Sequence, residues 1–282
     1  MSHEQIASTS EPWFMLPLCY ARRKEGIVAE YGHTTSATAI CRIEADIGQG
    51  HLDRLINEFA MGIYAKYGTG RERYFLDKTP RYYYILPELI RIFPEARFVV
   101  LLRNPISIVA SAIEAFCGNS MRRFDALDRD FYEGPERIAE FILQHRDRIH
   151  LLTYEGLVGR PESTIRNICE YLELTHCPDM IKRSFDITLD GFGDQLGSRK
   201  YRQVVSDHEK WKQVVNTRYR SWRLKRLIEK FSEHYLNAGG YDRGQLLESI
   251  ATHRTQKVEI KEYGFLLEEL LVRAYKSSIN RH

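Results

Sequence analysis

The sequence predicts an α/β fold, a parallel sheet flanked by helices, and two observations carry that prediction. Short apolar runs recur without polar alternation, as in strands buried on both faces. Helical patterns separate those runs, giving the order strand, helix, strand, helix.

Taken in order, residues 37–67 hold one long helix or two shorter ones, broken near Gly48 and Gly50. Tyr74-Phe75-Leu76 reads as a short strand ending in the polar Asp77-Lys78-Thr79-Pro80. A helix pattern fills 81–93, and the apolar run 98–102 is a second strand, closed by Arg103-Asn104-Pro105. Helices follow over 106–116 and 135–146, then a third strand over 150–154. Residues 161–174 are helical, with Pro161 suited to a first turn. A polar, glycine-containing loop runs over 190–205, and amphipathic helices are predicted over 218–236 and 257–277. No repeat or Gly/Ser-rich linker divides the chain, so residues 1–240 read as one α/β domain and 241–282 as its helical extension.

Composition sets the outer limits. The 282 residues are 43% hydrophobic and 28% charged, which is ordinary for a globular protein and argues against a mostly disordered chain. The net charge of +3 excludes a protein that coats nucleic acid by bulk charge, yet leaves room for a local pocket that holds a small anion. No run of 18 uncharged apolar residues occurs, so no transmembrane helix is expected; the longest candidate, 13–20, is short and carries Pro17. The start lacks the basic-then-apolar layout of a signal peptide. The five cysteines are widely spread with no CxxC pair, which fits reduced thiols in a cytoplasm better than disulfides or a zinc site.

Four segments could carry chemistry. In FVVLLRNPISIVAS, over 98–111, a buried strand ends on Arg103 and a helix starts at Asn104-Pro105. Unpaired N–H groups of that helix, the Arg103 charge and the hydroxyls of Ser107 and Ser111 would suit a phosphate-sized anion. The plain alternative is that Arg103 pairs with a carboxylate and Asn-Pro only starts a helix. Lys78, at the end of a strand, stands where parallel sheets bind ligands, or is a surface lysine in a turn. Glu11, before Pro12 and beside Trp13, is either a desolvated base or an acid at a helix start. Tyr154, at the end of the third strand, lines a purine pocket or is an ordinary half-buried tyrosine.

Together these motifs resemble the sulfotransferases that use 3′-phosphoadenosine 5′-phosphosulfate (PAPS), in particular the broad group with carbohydrate and tyrosylprotein sulfotransferases. The matching stretches are TSEPWFMLPL, LDKTPRYYYILPELIRIFPEARFVVLLRNPISIVASAI, LLTYEGLVGRPESTIRNICEYLEL and GDQLGSRKYRQVVSDHEKWK, in that order. The resemblance implies a P-loop-NTPase-like sheet flanked by helices. It implies that Arg103 and Ser111 hold the 3′-phosphate, with Ser107 assisting, and that Tyr154 lies near the adenine. It implies that Lys78 contacts the transferring sulfuryl group or its bridging oxygen, that Glu11 is the general base, and that Lys200 is a late phosphate contact. Pro80 stands where some cytosolic members carry a catalytic histidine, which moves the base role to Glu11. No metal is implied.

The family opens on a strand and a P-loop-like turn of the form PRSGTTLL, which grips the 5′-phosphosulfate. No segment here matches it, and residues 3–7 resemble the end of the helix that follows that turn. The implied sheet therefore lacks its first strand and loop, with an exposed groove beside strand 98–102, in a chain either truncated at its start or degenerate. Three functions follow: sulfuryl transfer from PAPS to a hydroxyl or amine of an acceptor such as a carbohydrate; nucleotide or partner binding without turnover; and, weakest because GxxxxGK[ST] is absent, a nucleotide-kinase-like phosphotransferase. The partners expected are a small-molecule or carbohydrate acceptor, without nucleic acid or a membrane span.

Overall fold

The structure, a computed structural model, describes residues 2–118, 121, 123–184, 209–253, 255, 257–265, 267 and 271. In chain order its strands are β1 (Ile6–Ser8), β2 (Tyr74–Leu76), β3 (Phe98–Leu102) and β4 (Ile149–Thr153). Its helices are α1 (Met15–Tyr20), α2 (His33–Ile47), α3 (His51–Tyr64), α4 (Leu86–Ile92), α5 (Pro105–Ala115), α6 (Asp128–Gln144), α7 (Tyr154–Gly159), α8 (Pro161–Tyr171) and α9 (Met180–Ser184). After these come α10 (Trp211–Val214), α11 (Arg218–Glu229), α12 (Glu233–Gly239) and α13 (Arg243–Thr252). The class is α/β, mostly helical, with its strands paired in twos: β1 with β2 and β3 with β4.

The chain divides into two compact units. The first holds residues 1–99, 145–150 and 160–204; the second holds 100–144, 151–159 and 205–282.

In the first unit β1 and β2 run parallel, with Ile6 opposite Tyr74 and Ser8 opposite Leu76. Residues 3–7 are therefore not the end of a helix. The Gln5 carbonyl accepts from the N–H groups of both Arg73 and Tyr74, and the buried His3 ring bonds to the Thr175 carbonyl at 2.9 Å. Residues 3–5 form a bend and turn, closed by the Ile6 N–H on the His3 carbonyl at 3.1 Å, and residues 6–8 are the strand. Gly48 (φ 101°) and Gly50 (φ 75°) separate α2 from α3, a break that other residues would strain to make. Ile56, Ala60 and Tyr64 recur every fourth residue on α3 and pack with Met15, Cys19 and Ile85 into one core. Tyr64 stacks on Phe75 of β2 at 4.3 Å between ring centres, which fastens the strand to that core.

In the second unit α5 buries Ile106, Val109 and Ile113, and α11 buries Leu224, Leu227 and Ile228. The helix expected over 218–236 is two helices. Ser232 caps α12 by accepting the Tyr235 N–H at 3.2 Å, and Arg243 donates to the carbonyls of Ile228, Glu229 and Phe231 at the end of α11. The helix expected to begin at Pro135 begins seven residues earlier, and Pro135 lies buried inside α6. Burial of Phe131, Ala139 and Phe141 on the same helix offsets the backbone bond that proline forfeits. Full burial of β3 on both faces does not hold: Val99 is 41% and Leu101 50% exposed while Leu102 is buried, so burial alternates along the strand. Of the helix expected over 257–277, residues 260–265 are helical, and most of the remainder lies outside the described residues.

Candidate functional site

Glu11 and Lys78 meet in the first unit because their strands are parallel. The register sets the last residues of β1 and β2 side by side, so the segments that follow leave from the same edge. The Ser8 hydroxyl donates to the Leu76 carbonyl at 2.7 Å and fastens that edge. Glu11 is buried; its Oε1 accepts from Lys78 Nζ, and its Oε2 accepts from the Trp13 indole N–H at 3.2 Å. The Lys78 side chain is 65% exposed.

Asp77 fixes the turn between β2 and Lys78. Its carboxylate accepts from the hydroxyls of Tyr64 at 2.5 Å, Tyr82 at 2.8 Å and Thr79 at 3.2 Å. Burial pushes the Asp77 carboxyl above its ordinary value, against the opposing pull of these donors. Burial and the neighbouring carboxylate push both tyrosine hydroxyls up as well, so they remain donors. The sequence placed Asp77 beside Lys78 but carried no sign of this clamp, because Tyr64 reaches it from α3.

In the second unit Arg103 follows β3 and Asn104 caps α5, with its side chain accepting the Ile106 N–H at 2.9 Å. The Tyr235 hydroxyl bridges the Arg103 backbone, accepting from its N–H at 3.0 Å and donating to its carbonyl at 3.2 Å. Burial raises the Tyr235 hydroxyl to about 12, so it keeps its proton. The Arg103 guanidinium lies over the Tyr154 ring, 4.4 Å from its centre, and Arg103 Nε is buried with no partner among the described residues. Tyr154 is the first residue of α7 rather than the end of the strand.

The unpaired N–H groups expected at the start of α5 are largely taken. Glu155 accepts the Asn104 N–H at 3.0 Å, Asn104 accepts that of Ile106, and Pro105 has none. The other Glu155 oxygen accepts from the Tyr241 hydroxyl at 2.7 Å. A carboxylate at this helix start opposes an anion there, so any anion site in this unit rests on Arg103 rather than on backbone amides. Ser107 on α5 is half-buried and Ser111 is exposed. Lys200 lies outside the described residues. Glu155, Tyr235 and Tyr241 had no assigned role in the sequence, because the two tyrosines lie more than 80 positions downstream of the groups they bond.

A groove of about 640 Å³ in the second unit is lined by α11, α13, His253, Thr255 and Tyr263, and includes none of the residues above. Among the described residues no cluster of three His, Cys, Asp or Glu side chains is placed to hold a metal ion, and no helix is long and apolar enough to cross a membrane.

Residues 1–179 match the family model described as "Sulfotransferase family". The chain belongs to the sulfotransferase family. Nodulation protein NoeE of Sinorhizobium fredii is 26% identical over 255 residues, 81% of this chain and 56% of that protein. The omega-hydroxy-beta-dihydromenaquinone-9 sulfotransferase Stf3 of Mycobacterium bovis and of Mycobacterium tuberculosis is 22% identical over 204 residues, 67% of this chain and 46% of that protein. The chain thus spans about half the length of these curated relatives. A solved sulfotransferase domain from the curacin biosynthetic pathway aligns over 88% of this chain and 95% of its own, at 15% identity and a TM-score of 0.43, too low to carry an argument.

Proposed function

We propose that the protein transfers a sulfuryl group from PAPS to a hydroxyl or amine of an acceptor, with a carbohydrate among the candidates. Arg103 is the observation that carries the donor assignment. A buried guanidinium nitrogen without a partner among the described residues, beside an aromatic ring, fits a phosphate. In this reading Arg103 binds the nucleotide's 3′-phosphate, with Ser111 and Ser107 adding hydroxyls, Tyr154 lining the adenine site and Lys200 contributing a further cation. PAPS, when bound, supplies the activated sulfuryl group. Glu11 takes the acceptor's proton, and Lys78 moves its ammonium from Glu11 to the charge that develops on the oxygen leaving sulfur. The chemistry asks for no metal, and the free thiols of Cys19, Cys41, Cys117, Cys169 and Cys177 fit a reducing cytoplasm.

Transfer from ³⁵S-labelled PAPS to a panel of hydroxyl and amine acceptors tests the proposal. Lys78→Ala should lower turnover by about 10²–10³-fold, because it removes charge stabilisation made in the transition state. Tight binding of 3′-phosphoadenosine 5′-phosphate with no transfer to any acceptor would favour the second reading, nucleotide binding without turnover. That reading is supported by the Glu155 carboxylate, which occupies the α5 amide in place of an anion.

A further inference from the structure

Trp13 has an unusual backbone. Among the described residues outside glycine, it and Glu173 alone take positive φ, with Trp13 at 57°. A bulky aromatic residue there is strained, because its Cβ crowds the backbone. The Phe14 N–H closes a three-residue turn onto the Pro12 carbonyl at 2.7 Å, with Trp13 at its centre. Pro12 fixes its own φ and holds Glu11 extended. The chain therefore reverses directly after Glu11 and brings the indole back over it, where Nε1–H donates to Oε2 at 3.2 Å.

The turn also starts α1, since the Trp13 carbonyl accepts the Leu16 N–H at 3.2 Å. Glycine or asparagine would make that turn with less strain. Neither would place an indole N–H on Glu11. Strain kept at one residue whose side chain bonds the candidate base points to a site role.

We propose that Trp13 is a positioning residue for Glu11. The inference rests on Glu11 acting as the base. The indole N–H holds Oε2, which leaves Oε1 turned to Lys78 and to the acceptor proton. Lys78 can withdraw during turnover without freeing the carboxylate, because Trp13 keeps it in place.

The test replaces Trp13 by 3-benzothienylalanine, which keeps the bicyclic shape and exchanges N–H for sulfur, and separately by Trp13→Phe. Turnover and the donor KM are measured for both variants beside the parent and Glu11→Gln. Turnover should fall about tenfold with the donor KM unchanged, a split that loose folding would not produce. Parental turnover in the benzothienylalanine variant overturns the proposal, whether or not Trp13→Phe folds. Full turnover in Glu11→Gln would instead remove the base reading, and the proposal with it.

Discussion

Truncating Arg103 separates binding from folding. Arg103→Ala removes the guanidinium that lies 4.4 Å from the centre of the Tyr154 ring, a contact worth roughly 1 kcal/mol. It also removes the buried Nε that has no partner among the described residues, and such a group costs roughly 1–3 kcal/mol to bury unsatisfied. The backbone at this position keeps both bonds to the Tyr235 hydroxyl, since neither involves the side chain. These contributions oppose one another, so the net change in stability should lie within about 1 kcal/mol. A buried, charge-assisted phosphate contact is worth roughly 2–4 kcal/mol. Its loss should weaken binding of 3′-phosphoadenosine 5′-phosphate by about 30- to 700-fold. Arg103→Lys keeps the charge but not the planar fork, and should fall between the two. Calorimetry measures the affinity, and urea unfolding checks the stability. Equal affinity in parent and Arg103→Ala refutes the anchor assignment. Loss of binding together with a large loss of stability refutes that separation of binding from folding.

Two further substitutions probe buried ion pairs, one in each unit. Glu262→Ala should cost about 3–5 kcal/mol, because Glu262 is 2% exposed and its carboxylate answers both Arg220 Nε and the Thr217 hydroxyl at 2.6 Å; a urea midpoint within error of the parent would contradict this. Burial pushes the Asp53 carboxyl up, but hydrogen bonds from Arg91 and Arg22 outweigh it and hold the group below its ordinary value. A lowered value contributes stability above the unfolded-state range that is lost as pH falls through the folded value, so between about pH 5 and 3 the parent should lose stability more steeply than Asp53→Asn; parallel acid limbs would show that the two arginines add nothing.

The elements with strong local signals were legible. Strands 74–76 and 98–102 were read to the residue, because apolar runs with polar stops leave little choice. The Asn104-Pro105 helix start was equally plain, since cap and first-turn proline are local chemistry. The segment 3–7 was misread because only a partner strand nearly 70 positions later makes Ile6 and Ala7 extended. A similar limit applies to the site. Glu11, Lys78, Arg103 and Tyr154 were each singled out in their own segments beside a plain alternative, and the family resemblance, not the segment, gave them roles. That Glu11 meets Lys78, that Arg103 covers Tyr154, and that Glu155 occupies the α5 amide all depend on long-range pairing that one-dimensional patterns do not carry.

The asymmetry of the Glu11–Lys78 pair bears on how it could work. The Glu11 side chain is 8% exposed and the Lys78 side chain 65%. The carboxylate is fixed by the indole and by the strand edge behind it, whereas the ammonium sits at the end of a flexible stem in water. When the pair separates, water resolvates the exposed ammonium, and the buried carboxylate keeps the Trp13 indole N–H as a donor, which offsets part of the cost of leaving it unpaired. Lys78 is therefore the member free to move, and Glu11 the member that stays. A base must hold still to meet a proton at a fixed point, whereas a point charge can follow the oxygen on which charge develops. The parallel register sets this division, since Glu11 follows a strand that ends in a proline-fixed turn and Lys78 follows one that ends at the exposed edge.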